Sequence, residues 1–517
     1  MNKPPLPLFL LPLLCLAGAT ARADVSLPAV IGSHMVLQRD QALPVWGWAA
    51  PGEEVRVALG ENKATTKADA AGRWRVNLAP MQPGGPFSMT VSGKNTLELT
   101  DILVGEVWLG SGQSNMQWSL TQAAGAEQEI AAANYPQIRL FSVPLVPSGT
   151  PASDVVSSWK ECSPQNAPAF SAVLYFYGRE IHQHLNVPVG LINSSWGGTL
   201  IQPWTPPEGF ASQPELKPEL ELVSQQRSAY QKNLLRNVLP LKNWLELAEK
   251  NTTTGLEVPD PPLFPNHPLN SNSAPTGLYN GMIHPLVPFA IRGAIWYQGE
   301  SNNGQGMRYH AMMKGLIQGW RSVWNQGDFP FYFVQLAPYR YGVKETSLPE
   351  IWEAQTATLA VPNTGMAVIN DIGNPTDIHP RNKLDVGKRL ALWAKAKTYG
   401  AKNITYSGPL YDSMNVELDQ IEIKFKHAEN GLLSRDGKPL SLFTIAGEDR
   451  KFVPAVATIS KNSVIVKAAS VENPVAVRFA WSQTAEPNLT NKEGLPSSAF
   501  RTDRWGTEEQ PTFRALK

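Results

Sequence analysis

One short stretch of the chain, WLGSGQSNMQW from Trp108 to Trp118, places a serine directly after an apolar run. A serine at the turn between a buried strand and a helix can expose its hydroxyl at the edge of a sheet, where it could act as a nucleophile. The same position is also typical of a helix N-cap, whose hydroxyl only accepts a backbone N–H. Ser114 is therefore a candidate nucleophile that needs a base and an oxyanion hole elsewhere in the chain.

Two further stretches offer donors for such an oxyanion. In INSSWGGTLIQPW, Gly197 and Gly198 follow an apolar run, and glycines let backbone N–H groups approach a ligand closely. In IWYQGESNN, Gln298 and Asn302 follow another apolar run and carry neutral amide N–H groups, which can stabilise an alkoxide without giving up a proton. The alternatives are a tight turn for the first stretch and a polar loop that bonds to itself for the second.

A fourth stretch, DIGNPTDIHPRNKLDVGKRLA, contains a candidate general base. His379 lies just before the pattern of an amphipathic helix, and Asp377 lies two positions before His379. A carboxylate that binds one ring nitrogen leaves the other nitrogen free to take the proton of Ser114. A structural hydrogen bond is the ordinary alternative for a single histidine. Because all four stretches follow apolar runs, their combination favours a catalytic site.

The elements around these stretches have the pattern of an α/β domain. Runs such as FAIRGAIWYQGE and FPFYFVQLAP are almost continuously apolar, as buried parallel strands are. Helix-like segments such as AVLYFYGREIHQHL lie between the apolar runs. Ligands of such sheets bind beyond the carboxyl ends of the strands, so the four stretches are expected to meet there.

The sequence predicts four regions along the chain. These are a signal peptide over 1–23, a β-sandwich-like domain over 24–100, an α/β domain over 101–402 and a β-rich region over 403–517. The first and last of the folded regions show short alternating runs broken by Pro, Gly and Asn, which is typical of strands. A Pro-rich polar insertion at about 202–273 has a helix-like middle. Its role stays open between a lid, a wall of the substrate pocket and a solvated surface decoration.

Composition and charge exclude several classes of partner. Lys and Arg number 45 against 44 Asp and Glu, so the formal net charge is +1 and no basic field would attract nucleic acid. The chain is 42% hydrophobic and 17% charged, which is a globular balance.

Of the two cysteines, Cys15 lies in the predicted signal peptide, so Cys162 is expected to form neither an intramolecular disulfide nor a cysteine metal site.

The N-terminal segment predicts export. Lys3 precedes an apolar stretch at 6–17, and the small residues Ala21 and Ala23 follow it, which is the anatomy of a secretory signal peptide. The apolar stretch is too short to span a bilayer comfortably, and no later stretch is long and apolar enough to do so. We therefore expect a periplasmic or secreted protein with no integral membrane segment in the mature chain.

The blocks GSGQSNM, SWGGT, IWYQGESN and DIHPRNK together resemble the sialate O-acetylesterase family of the SGNH hydrolases. HMVLQRDQALPVWGWA, LYNGMIHPL and GLPSSAFRTD also resemble that family, so the resemblance covers nearly the whole mature chain. It implies a flavodoxin-like α/β/α SGNH hydrolase domain with β-sandwich accessory regions at both ends. It also implies hydrolysis of O-acetyl esters on sugars without a metal and without a cofactor.

The resemblance also implies roles for individual residues. It makes Ser114 the nucleophile and His379 the base. The oxyanion donors it implies are the Ser114 N–H, a glycine N–H of Gly197 or Gly198, and the amide of Gln298 or Asn302. The wider superfamily places an aspartate three residues before the histidine, where this chain has Thr376. Three alternatives therefore stay open for what orients His379: Asp377, Asp371, or no acid at all.

The expected substrate is an acetylated glycan or sugar. Trp196 and Trp296 lie within the site blocks, and indole faces stack well on sugar rings. Arg381 could bind the carboxylate of a sialic acid, whereas acetylated xylan and other neutral glycans need no cation. Two alternatives use the same residues differently: a non-catalytic glycan-binding protein, and a serine amidase.

Overall fold

The computed structural model describes residues 24–505. The predicted signal peptide, 1–23, lies outside the described residues. Within 24–505, no helix has both the length and the apolar character needed to cross a bilayer.

The N-terminal region is built from short strands, which are antiparallel except for the first, a parallel neighbour of the long strand that follows. They are β1 (Val36–Gln38), β2 (Leu43–Trp48), β3 (Glu54–Leu59), β4 (Asn62–Lys67), β5 (Arg73–Leu78) and β6 (Gly84–Ser92). Strand β2 pairs with β5, and β3 pairs with both β4 and β6. Exposed and buried residues alternate along β5, RWRVNL, as expected for a strand with one face in a core.

One long strand, β7 (Thr96–Gly112), joins this region to the central sheet. Its first part pairs antiparallel with β6, and its last part lies parallel to two strands of the central sheet. Exposed residues occur up to Thr100, whereas every residue from Ile102 to Gly112 is buried. A single strand therefore crosses the predicted boundary at 100/101, and the division into domains stays a prediction.

The central sheet brings the carboxyl ends of its parallel strands to one edge. Its other strands are β8 (Tyr135–Ser142), β9 (Lys160–Cys162), β10 (Val189–Ser195), β11 (Gly293–Tyr297), β12 (Phe331–Val334) and β13 (Thr364–Ala367). The order is β13-β12-β11-β7-β10-β8-β9, and only β9 runs antiparallel to its neighbour. The loops after β7, β10, β11 and β13 therefore leave the sheet on the same side.

Helices cover both faces of this sheet. They are α1 (Ser114–Gln117), α2 (Ala126–Ala131), α3 (Ala172–Leu185), α4 (Pro207–Ala211), α5 (Lys217–Thr254), α6 (Arg308–Trp324), α7 (Ser347–Ala357) and α8 (Lys383–Trp393). Short turns of 3₁₀-helix lie at Leu120–Gln122, Gln202–Trp204, Pro214–Leu216, His284–Leu286, Glu300–Asn302 and Thr358–Ala360, and π-helical turns at Tyr279–Ile283 and Ala394–Thr398.

Aromatic contacts show which helix covers which face. Trp108 of β7 packs on Tyr177 of α3, whereas Trp296 of β11 packs on Trp320 of α6. Trp108 lies opposite Gly293 in the ladder, three residues before Trp296. Because side chains alternate along a strand, this odd spacing puts Trp108 and Trp296 on opposite faces. Helices α3 and α6 therefore sandwich the sheet.

The predicted insertion contains the long helix α5. Its 38 residues extend about 57 Å, and of its residues only Val223 is fully buried. The chain returns along the helix, where Trp244 Nε1 donates to the Pro259 carbonyl at 2.7 Å and Asn251 Nδ2 to the Glu257 carbonyl at 2.6 Å. The insertion is thus a helix with its own returning segment.

The C-terminal region is again made of strands. They are β14 (Leu410–Glu417), β15 (Gln420–Lys426), β16 (Leu432–Ser434), β17 (Phe443–Ala446), β18 (Val453–Pro454), β19 (Val456–Ser460), β20 (Ser463–Lys467), β21 (Ala476–Phe479), β22 (Leu489–Asn491) and β23 (Phe500–Arg501). They form two four-stranded antiparallel sheets and one two-stranded sheet. Asn370 Nδ2 donates to the Ser497 carbonyl at 2.8 Å and ties this region to the loop after β13. The α/β class with β-rich regions at both ends is confirmed.

A buried carboxylate at the start of the parallel part of β7 gives a stability prediction. Glu106 is 0% exposed and accepts hydrogen bonds from Arg39 at 2.5 Å, Arg292 at 2.7 Å and Tyr399 at 3.1 Å. Removing one partner of a buried ion pair leaves the others uncompensated. We expect Glu106→Gln to lower the free energy of unfolding by about 3 kcal/mol, measured by urea denaturation.

Glu98→Gln is the matched control, because Glu98 is exposed on the same strand. This control is expected to change the free energy of unfolding by less than about 0.5 kcal/mol. Equal denaturation midpoints for the two variants would contradict the assigned role of Glu106.

Candidate active site

A tight turn at the end of β7 places Ser114 at the carboxyl edge of the sheet. Gly112 has φ +138°, and a Cβ built on it would lie 2.1 Å from the Tyr297 carbonyl oxygen, so only glycine fits there. Gln113 then forms the N-cap of α1, and Ser114 is the first helical residue. Ser114 is therefore not the N-cap itself, and its N–H is among those with no partner inside the helix.

His379 lies within hydrogen-bond distance of this serine. Its Nε2 is 2.8 Å from Ser114 Oγ, although 264 residues separate the two in the chain. His379 is carried by the loop between β13 and α8, at the same edge of the sheet. The structure thus brings together the two residues that the sequence proposed as nucleophile and base, and an Oγ–Nε2 contact of this length allows direct proton transfer.

The imidazole is held against an aromatic ring. Trp118 stacks on His379 with ring centroids 4.9 Å apart and planes inclined by 23°. Burial lowers the pKa of His379, the positive charge of Lys383 lowers it further, and the negative charge of Asp377 acts in the opposite direction. The net shift favours the neutral imidazole, which is the form that a general base requires.

Both candidate acids bind groups other than the imidazole. Asp377 Oδ1 accepts the backbone N–H of His379 at 2.9 Å, and Asp377 is exposed. Asp371 accepts two hydrogen bonds from Arg389, at 2.6 and 2.7 Å. Within residues 24–505, no carboxylate forms a hydrogen bond with the His379 ring. Asp377 thus shapes the loop at His379, and Asp371 is engaged in an ion pair.

The two glycines after β10 differ in what their N–H groups do. The Gly197 N–H donates to Gln117 Oε1 at 2.7 Å, so this predicted donor already has a partner. Gly198 is exposed, has φ +74°, and has open space where a Cβ would lie. A Cβ on Gly197 would lie 3.1 Å from Ser114 Cβ, which shows how closely this turn approaches Ser114.

The two predicted amide donors are buried within the protein. Gln298 Nε2 donates to Asn302 Oδ1 at 2.7 Å, to the Thr199 carbonyl at 3.0 Å and to Gln113 Oε1 at 3.2 Å. Asn302 Oδ1 also accepts the Ile201 N–H at 3.0 Å. Both amides are 0% exposed. They hold the turns after β7 and β10 in place, so neither amide is directed at the space beside Ser114 Oγ.

Comparisons with known proteins identify the family of this chain. A family model described as carbohydrate esterase, sialic acid-specific acetylesterase matches residues 270–394. The mouse sialate O-acetylesterase is 32% identical over 92% of this chain and 94% of its own length, and the human one is 31% identical over 91% and 90%. The chain belongs to the sialate O-acetylesterase family. The predicted family membership is therefore confirmed.

A solved structure supports the same assignment for the whole fold. The crystal structure of a carbohydrate acetylesterase from Xanthomonas citri superposes with a TM-score of 0.79 at 38% identity. The alignment covers 93% of this chain and 100% of that one. This member of the sialate O-acetylesterase family is a carboxylic ester hydrolase and a carbohydrate acetylesterase, as the sequence predicted.

The three predicted substrate-binding residues of the esterase lie in different surroundings. Trp196 is partly exposed in the turn beside Ser114. Trp296, by contrast, is 1% exposed and packs among Trp204 and Trp320. Its predicted role as a sugar-stacking surface is corrected, because a fully buried indole offers no free face. Arg381 is exposed and its Nε donates to the Gln122 carbonyl at 3.1 Å, which fixes the loop after His379.

Three buried polar residues near the Ser114–His379 pair were not predicted. Asn115 Nδ2 donates to Glu300 Oε1 at 2.6 Å and to the Ile378 carbonyl at 3.0 Å, and Asn115 Oδ1 accepts from Lys383 Nζ at 2.5 Å. The sequence contained a signal for the burial of Lys383, because Lys383 shares the apolar face of α8 with Gly387 and Leu390. Lysine on such a face is expected to be solvated, so its burial requires a partner.

One group of side chains within residues 24–505 has the spacing of a metal site, and it lies away from the active site. His34, Asp101 and Glu161 approach one another closely enough to share an ion. The Arg139 guanidinium already pairs with Asp101 at 2.5 Å and lies 3.8 Å from Glu161. Arg139 thus supplies to these side chains the positive charge that a metal ion would otherwise bring.

Proposed function

We propose that the protein is an exported O-acetylesterase that removes acetyl groups from sugars through a Ser114–His379 pair. The observation that carries this proposal is the 2.8 Å distance between Ser114 Oγ and His379 Nε2, at the carboxyl edge of the parallel sheet. Export rests on the signal peptide predicted over 1–23. A purely glycan-binding role would not require a serine to be aligned with a neutral imidazole.

The reaction proceeds in two steps through an acyl-enzyme. His379 Nε2 takes the proton of Ser114 Oγ while this oxygen attacks the acetyl carbonyl carbon. The tetrahedral intermediate collapses, and the sugar oxygen leaves with the proton that His379 returns. Water then gives a proton to His379 and attacks the acetyl-serine. Acetate leaves, and Ser114 Oγ regains the proton.

Two backbone N–H groups are the proposed oxyanion donors. Within residues 24–505, the Ser114 N–H at the first position of α1 has no hydrogen-bond partner, and a Cβ built on the exposed Gly198 would have no neighbour within 4 Å. Each such donor stabilises the transition state by roughly 3 kcal/mol when it is correctly placed. Gln298 and Asn302 are proposed as supports that hold these two turns. Gly197 has the same supporting role, through Gln117.

The substrate class is tested by acetate release from a panel of esters. The panel contains p-nitrophenyl acetate, O-acetylated sialic acid and acetylated xylan, with N-acetylglucosamine as the amide control. We expect acetate from at least one acetylated sugar and none from the amide. Sialate preference over xylan would place a cation such as Arg381 near the sugar carboxylate. Absence of acetate from both sugar esters would contradict the proposed function, and release from the amide would favour an amidase.

The position of Asp377 gives a prediction that separates a dyad from a triad. Since Asp377 binds the His379 backbone N–H, we expect Asp377→Asn to lower kcat less than about 10-fold, whereas loss of a triad acid costs about 10⁴-fold. The negative charge of Asp377 raises the pKa of His379, so its removal lowers that pKa. The acid limb of kcat/KM should therefore move to lower pH. A loss near 10⁴-fold would instead make Asp377 the orienting acid.

A further inference from the structure

A buried chain of polar contacts connects helix α8 to the loop that carries His379. Lys383, the first residue of α8, is 1% exposed, and its Nζ donates to Asn115 Oδ1 at 2.5 Å. An amide whose oxygen is occupied by an ammonium group must direct its NH₂ group elsewhere. The Asn115 NH₂ group donates to the Ile378 carbonyl at 3.0 Å, one residue before His379, and to Glu300 at 2.6 Å.

The same ammonium group lies against the aromatic rings of the site. Lys383 Nζ is 5.4 Å from the ring centroid of Trp118 and 5.4 Å from that of Tyr297. Trp118 in turn stacks on His379. Cation–π contacts of this length stabilise a desolvated ammonium group and fix the ring that it faces. Lys383 therefore contacts two separate supports of the imidazole: the Asn115 amide and the Trp118 ring.

We propose that Lys383 is a positioning residue of the esterase, which holds His379 in line with Ser114 in place of an orienting carboxylate. This inference rests on the proposed Ser114–His379 mechanism. It explains how the imidazole can be fixed although Asp377 and Asp371 bind other groups. It also explains why an ionisable side chain is retained at a fully buried position of α8, where an apolar residue would cost less to bury.

Two carboxylates act on the charge of Lys383 from the elements packed against it. Glu300 faces it from the 3₁₀ turn after β11, and Asp377 faces it from the loop of His379. Burial lowers the pKa of Lys383 to about 7, while the two carboxylates raise it. Burial raises the pKa of Glu300, and that of Tyr297 lies well above its usual range, so the phenol stays neutral.

The sign of the effect on His379 follows from these charges. Below pH 7, where Lys383 is mostly protonated, its positive charge disfavours a second positive charge on the imidazole. The pKa of His379 is thereby lowered, and the base stays active to lower pH. Loss of the Lys383 charge should raise the pKa of His379. The acid limb of kcat/KM, which reports the free-enzyme base, should then move to higher pH.

Two variants separate the charge of Lys383 from its hydrogen bond. Lys383→Met removes both, and Lys383→Gln removes the charge but keeps an N–H donor for Asn115. We expect both variants to raise the acid limb by about 1 pH unit, with p-nitrophenyl acetate as substrate. We expect kcat at the pH optimum to fall about 10-fold or more for Lys383→Met and less for Lys383→Gln, with KM nearly unchanged.

The matched control is Lys388→Met, the same change at an exposed position of the same helix, which should leave the pH profile and kcat at wild-type values. Near-UV circular dichroism and thermal midpoints report on folding, and Lys383→Gln decides the matter if the methionine variant does not fold. An unchanged acid limb in a folded variant overturns the proposal, whatever happens to kcat. Full activity of Ser114→Ala or His379→Ala would instead overturn the proposed function, so the two failures are distinguishable.

Discussion

Replacing Ser114 by alanine is expected to lower kcat for acetate release by about 10⁵-fold, the largest effect predicted for any single change in this chain. The reason is geometric: Ser114 Oγ is the atom that His379 Nε2 contacts at 2.8 Å, and without it no acyl-enzyme forms. Residual activity from the oxyanion donors and substrate binding would be all that remains. The measurement is acetate release from p-nitrophenyl acetate and from acetylated xylan under saturating substrate.

Ser111→Ala is the matched control for this experiment. Ser111 lies in the same stretch, three residues earlier, but it is fully buried on β7 and its hydroxyl has no partner within residues 24–505. Its removal should leave kcat within about twofold of wild type, because the change deletes one unpaired buried hydroxyl. A Ser114→Ala protein that retains substantial activity, or a Ser111→Ala protein that loses it, would show that the nucleophile is misassigned.

Replacing His379 by alanine is expected to lower kcat by about 10⁴-fold or more, because no other base lies at hydrogen-bond distance from Ser114 Oγ within residues 24–505. The change also leaves an open slot against the face of Trp118, which now stacks on the imidazole. Added imidazole should enter this slot and restore part of the activity, with a saturating concentration dependence. Acetate release with and without imidazole measures both effects.

His184→Ala is the control for this second experiment. His184 is exposed on α3, so its loss should change neither kcat nor the response to imidazole. If added imidazole does not restore activity to a His379→Ala protein that is folded and still binds substrate, the imidazole slot is not formed. Activity of His379→Ala near the wild-type level would exclude His379 as the base.

The fold class was predictable because it depends on periodicity, which is a local property of the sequence. The almost continuous apolar runs at β10, β11 and β12 are buried on both faces, as parallel strands between two helical layers must be. The alternating pattern of β3 and β5 reflects one solvated face. What the patterns could not show is that β7 is shared by two sheets, since pairing partners are set by packing at long range.

The proximity of Ser114 and His379 was likewise predictable, whereas their surroundings were not. Ser114 and His379 each follow a strand that ends at one edge, which brings them together once the sheet order is given. The amides of Gln298 and Asn302 were expected at the oxyanion but lie buried, because each has more donor and acceptor partners nearby than the open site offers. Trp296 was expected to face a sugar, yet it lies within β11, where helices cover both faces of the sheet and bury it against Trp320.

The sequence by itself therefore determined the family, through the resemblance of its motif blocks, and the main strand and helix segments, through apolar periodicity; it also singled out Ser114 and His379 as the candidate nucleophile and base. Only the tertiary structure decided what orients His379. Residues 115, 300 and 383 are far apart in the chain, and each has an ordinary structural role when considered alone. Their significance arises from burial at one place, where a lysine ammonium group, an amide and a carboxylate must satisfy one another because water cannot.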